Sequence, residues 1–136
     1  MADAPTELLQ RIPLFSDLER KELEQLARTM KPRTFSAGDT IASEGQRGIG
    51  FFVIESGRAN VSVAGEQHGT LGSGDYFGEI ALIDDGPRTA TVTAASDLRC
   101  WGLTSWEFKP IVETNAEIAW KLLMALAKRL RSVEQR

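Results

Sequence analysis

Residues 74–90 read GDYFGEIALIDDGPRTA, and the spacing of an acid, a glycine and an arginine within them decides how the rest of the chain is read. Residues 79–83, EIALI, are too short to hold a helix alone, yet a single helical turn leaves unpaired backbone N–H groups at its start. Such donors attract an anion. Gly78, just before the turn, lets a ligand approach the backbone, and Asp84, Asp85, Gly86 and Pro87 supply turn chemistry that brings the chain back. Arg88 follows with a planar fork of donors suited to a phosphate. Glu79, nine positions earlier, sits beside that phosphate without repelling it only where it faces a hydroxyl. A ribose phosphate meets both demands, its 2′-OH donating to Glu79 while Arg88 and the backbone hold the phosphate.

On either side of this stretch the pattern changes twice. Ser16 and Glu19 stand at capping-box spacing, and Leu18, Leu23, Leu26 and Met30 recur at helical intervals, so residues 1–32 are expected to be helical. Residues 33–103 fall into short apolar or alternating runs such as GFFVIES, ANVSVAG and TATVTA, punctuated by Gly38, Gly45, Gly57, Gly65 and Gly74. Turn signals at roughly eight- to twelve-residue intervals predict a β-sandwich or barrel. Thr104 and Glu107 form a second capping box, opening a helix that Pro110 must shorten or kink. Asn115 caps a last helix running to about residue 134, with Ala119, Leu122, Leu126, Leu130 and Val133 in one stripe. Residues 104–136 are thus helical again, and the whole is one mainly β domain with flanking helices.

Composition narrows the function classes. The 136 residues carry a formal charge of −3, which argues against a general nucleic-acid binder. No signal-peptide core and no run of about eighteen apolar residues is present, so the composition is that of a cytoplasmic protein without a membrane span. Cys100 is the single cysteine and His68 the single histidine. A metal site or a nucleophile triad would have to recruit that one histidine, so neither metal nor catalysis is expected.

These residues together resemble the cyclic nucleotide-binding domain family, to which the catabolite activator protein and the regulatory subunit of protein kinase A belong. Phe77, Gly78 and Glu79, then Ala81 and Leu82, then Pro87 and Arg88 stand at the spacing of its phosphate-binding cassette, here residues 77–90. Residues 37–45, AGDTIASEG, residues 51–57, FFVIESG, and Val61 with Val63 are similar to its early strands and turns. The resemblance implies a jelly-roll-like β-roll, a double-stranded β-helix, followed by helices called B and C. It implies that Glu79 binds the ribose 2′-OH and that Arg88 binds the exocyclic phosphate oxygens. The amides of Gly78, Ala81 and Thr89 complete the cradle, with Ile80 part of the same cassette. Val61 and Val63, with Leu71 as a neighbour, are implied to line the wall near the base. Leu82 is implied to shift as a latch while the last helices cover the base, with Trp120, Leu123 and Ala127 as lid residues. Residues 45–50, GQRGIG, depart from the acidic turn often found there.

The expected ligand is cAMP or cGMP, with no other cofactor. Thr89, next to the phosphate arginine, permits cGMP, and the last helix leans toward cAMP. Lys128, Arg129 and Arg131 read as a solvated helix face, and the apolar stripe suits either the barrel or a parallel second copy, hence a possible homodimer. An effector protein is expected to receive the signal. Two other readings share the fold: an interaction module that binds no ligand, and the sensor domain of a helix-turn-helix regulator, whose reading head is not expected within these residues.

Overall fold

The computed structural model describes residues 3–47, 50–84 and 86–134. Helix α1 (Thr6–Gln10), a 3-10 turn (Pro13–Phe15) and α2 (Arg20–Thr29) come first. Eight strands follow: β1 (Lys31–Phe35), β2 (Thr40–Ala42), β3 (Gly50–Ser56), β4 (Ala59–Val63), β5 (Glu66–Leu71), β6 (Tyr76–Phe77), β7 (Thr91–Ala94) and β8 (Leu98–Thr104). A second 3-10 turn (Ile80–Leu82) lies between β6 and β7, and α3 (Ser105–Glu113) and α4 (Ala116–Glu134) close the order. The strands make two four-stranded antiparallel sheets, ordered β1-β8-β3-β6 and β2-β7-β4-β5. This is the expected jelly-roll arrangement with helices at both ends.

Side chains alternate across a strand, and β3 shows why its sequence is nevertheless almost continuously apolar. Phe51 and Val53 face the helices, joining Phe15, Trp101, Leu103, Phe108, Ile118 and Leu122 in one core. Phe52 and Ile54 face the inside of the roll, joining Ala59, Val92, Leu98 and Cys100 in a second core. β3 is therefore covered on both faces, and so is its partner β8. Burial pushes the Cys100 thiol up to about 11, so this cysteine behaves as a small core residue.

Local chemistry sets most element ends. Thr104 caps α3, its hydroxyl oxygen accepting from the Glu107 amide at 3.2 Å while the Glu107 carboxylate accepts from the Thr104 amide at 3.1 Å. Pro110 lies inside α3, and the helix ends within one turn, where the Thr114 hydroxyl donates to the Pro110 carbonyl at 2.7 Å. Asn115 Oδ1 accepts from the Ile118 amide at 3.2 Å and opens α4. Two expectations shift. The cap of α2 is Glu19 working with Glu22, because Ser16 is used to close the preceding 3-10 turn. β1 begins at Lys31, ahead of the expected start at residue 33, and Pro32 is tolerated because β1 is an edge strand.

On α4 the face toward the body is Ile118, Leu122, Ala125 and Leu126. Leu130 and Val133, placed in that stripe from the sequence, are 61% and 57% exposed, because the inward face of the last turns carries charged residues held in ion pairs. Asp85, expected in the cassette turn, and residues 48 and 49 of the divergent loop lie outside the described residues.

Candidate functional site

Arg88 is positioned by its backbone before its side chain does anything. Its amide donates to the Gln46 carbonyl and its carbonyl accepts from the Gly45 amide, both at 2.8 Å, while Arg47 and Pro87 form an isolated bridge. The loop after β2 thereby grips the chain as it leaves the cassette. The Arg88 side chain then reaches β3, where Nη2 donates to the Gly50 carbonyl. A Cβ on Gly50 would run into the Leu103 carbonyl, so this acceptor is pressed firmly against β8.

Gly78 is the companion of that arrangement. It has φ 84°, and a Cβ there would fall on the Arg88 guanidinium and within 2.6 Å of the Gly50 carbonyl oxygen. The missing side chain is where the arginine lies. Arg88 Nε is buried and has no hydrogen-bond partner among the described residues. Burial lowers the Arg88 pKa from its ordinary value, opposed by the nearby Glu79 carboxylate. A half-buried guanidinium with an unpaired donor is an anion site in waiting.

Glu79 is the second charged group, and it is buried. Its Oε1 accepts from Arg129 Nη1 of α4 at 3.1 Å. Between the two lies a cavity of about 380 Å³ whose walls include Gly78, Glu79, Ile80, Ala81, Arg88 and Thr89. Six cassette residues expected at a ligand therefore surround one space. The Ala81 amide is the exception in detail, since its N–H donates to the Gly78 carbonyl at 3.1 Å and closes the 3-10 turn. Leu82 is buried against the helix-side core.

The expected base wall lies one strand farther away. Ala42 and Val92 line the cavity, and Val61 is paired directly with Val92, so Val61 continues the same row across the sheet. Val61 and Leu71 pack against the roll's inner core, Val63 is half-buried in β4, and none of the three lines the cavity. The lid residues differ more. Trp120 and Leu123 are 64% and 58% exposed, Ala127 is exposed, and all three lie outside the cavity wall. The α4 residue that lines it is Arg129, which the sequence placed on a solvated face. A signal existed: Arg129 lies seven and four positions beyond Leu122 and Ala125, on the helix face that those residues bury. His68 is exposed in β5, and no group of three potential metal ligands occurs among the described residues.

Comparisons agree with this geometry. The family model for the cyclic nucleotide-binding domain matches residues 32–115. A cAMP-dependent protein kinase regulatory subunit from Yarrowia lipolytica is 42% identical over 93 residues, 67% of this chain. The chain spans between 24% and 32% of the length of the curated relatives it matches. Among solved structures, the N-terminal domain of a transcriptional regulator from Streptomyces coelicolor superposes with a TM-score of 0.88 at 31% identity, covering 94% of this chain and 95% of that one. The regulatory domain of Toxoplasma gondii protein kinase A, crystallised with cAMP, gives a TM-score of 0.70 at 33% identity, covering 78% of this chain and 42% of that one. With two antiparallel sheets, a glycine-cradled arginine and a family match running from β1 to the start of α4, the chain belongs to the cyclic nucleotide-binding domain family.

Proposed function

We propose that this chain binds a cyclic nucleotide, cAMP in preference to cGMP, and converts its presence into a changed position of α3 and α4. One observation carries the reading: a half-buried Arg88 with an unpaired Nε stands beside a buried Glu79 at a cavity large enough for a nucleotide. Arg88 takes the phosphate and Glu79 the ribose hydroxyl, with the backbone of Gly78 and Thr89 close by. Ala42 and Val92 offer the sugar and base an apolar wall, and Val61, Val63 and Leu71 meet a base that extends along the sheet. The lean toward cAMP draws on the names of the kinase regulatory relatives.

The role is regulatory, not catalytic, and its setting is the cytoplasm, with an effector protein reading the helices. No helix among the described residues is long and apolar enough to cross a membrane. A second reading, the sensor domain of a DNA-binding regulator, is favoured by the near-complete overlap with the Streptomyces domain. Calorimetric titration with cAMP and cGMP tests the binding itself. Heat of binding is expected for wild type, and Arg88→Ala should weaken it at least about tenfold, since the phosphate loses its charge partner. No heat and no thermal shift at millimolar nucleotide would sink the proposal.

A further inference from the structure

Helix α4 is fastened differently along its two halves. Ile118 and Leu122 are buried in the helix-side core, and Lys121 pairs with Glu22 at 2.8 Å. Beyond Leu126 every described residue is exposed. The side-chain hydrogen bonds of that half among the described residues are two ion pairs, Lys128 with Asp17 and Arg129 with Glu79, each at 3.1 Å. One of these two fastenings is the acid of the ligand site.

Two details say what Arg129 does there. Glu79 uses Oε1 for Arg129, and among the described residues nothing donates to Oε2, so the same carboxylate has an oxygen left for a hydroxyl. The cavity of about 380 Å³ exists with Arg129 already on its wall, so a nucleotide has room without expelling it. Charge then sets the sign of the effect. Arg88, Arg129 and Glu79 leave one positive charge uncompensated, and Arg88 is desolvated, so the two arginines repel each other across the empty site. A phosphate diester cancels that excess.

We infer that Arg129 is a positioning residue: through Glu79 it holds the distal half of α4 against the ligand site, and an anion at Arg88 tightens that hold. The inference rests on the cyclic nucleotide reading and deepens it by naming the contact through which occupancy reaches the helix. Linkage makes the effect reciprocal, so whatever secures α4 also raises ligand affinity.

The test uses the full chain, cAMP, and the variants Arg129→Gln and Arg129→Lys, with calorimetry and hydrogen exchange of residues 126–134. In wild type, cAMP should slow exchange in that segment. In Arg129→Gln that slowing is expected to vanish and affinity to fall about three- to tenfold, the range of a partly exposed ion pair. Arg129→Lys keeps the charge and should recover a clear part of the loss. Wild-type affinity in Arg129→Gln, tighter binding, undiminished slowing, or no recovery with lysine would each overturn the inference while leaving the ligand site standing. Absence of cAMP and cGMP binding to wild type would instead overturn the ligand reading, and this inference with it.

Discussion

Thr89 stands exposed at the cavity rim, one residue past the arginine assigned to the phosphate. A hydroxyl there can accept from the guanine 2-amino group of a syn base while donating to the phosphate, and adenine has no such amino group. One net hydrogen bond is worth roughly 0.5–1.5 kcal/mol, so its contribution to selectivity is at most about tenfold. Thr89→Ala is therefore expected to lower cGMP affinity more than cAMP affinity in parallel titrations. An equal loss for both would show that the hydroxyl serves the phosphate and reads no base. Gly78 works at the same scale by absence, since its missing Cβ makes the space that the Arg88 guanidinium fills.

At the scale of elements, the last two helices are each tied to the N-terminal part of the chain by a carboxylate. Burial alone would raise the Glu22 pKa, but the hydrogen bond from Lys121, the Glu19 amide and the neighbouring lysine charges hold it below the ordinary 4.5. Glu107 behaves alike, with burial opposed by Lys31 and Thr104, and it too lies below 4.5. A carboxylate depressed in the folded state adds stability that is present above its unfolded pKa and is lost as pH falls through the folded value. The melting temperature is thus expected to be level near neutrality and to drop once the pH goes below 4.5. Glu22→Gln should cost on the order of 1–2 kcal/mol at pH 7 and make the acid decline shallower. A variant whose melting profile against pH matched wild type would remove Glu22 from the docking of α4.

At the scale of the molecule, α4 has two faces with different partners. One meets the body, and the other leaves Trp120, Leu123, Met124, Leu130 and Val133 between 42% and 64% exposed. Trp120, Leu123, Ala127 and Leu130 alternate in steps of three and four, the spacing of a two-stranded helical seam. A second copy of the chain, paired through α4, is the expected occupant. Light scattering should give twice the 15.0 kDa chain mass. Leu123→Glu combined with Leu130→Glu should return the mass to one chain without unfolding it. A monomer at every concentration for wild type would rule this pairing out.

The cassette, the Thr104 and Asn115 caps and the strand-rich middle were legible in the sequence because each depends on residues a few positions apart. A 3-10 turn, a capping box or an alternating run is decided by local backbone chemistry, and Gly78, Glu79 and Arg88 belong to one continuous stretch. The cap of α2 was misplaced for a local reason too, since Ser16 had a nearer carbonyl to serve in the turn before it. What the tertiary structure alone decided are contacts across long separations. Arg88 meets Gly50 across 38 positions, Glu79 meets Arg129 across 50, and Lys121 meets Glu22 across 99. No local periodicity encodes such pairs. Helical spacing puts Arg129 in line with Ile118, Leu122 and Ala125, but only the docking of α4 on the 3-10 turn and the cassette turns that line toward Glu79, and leaves the tryptophan face outward.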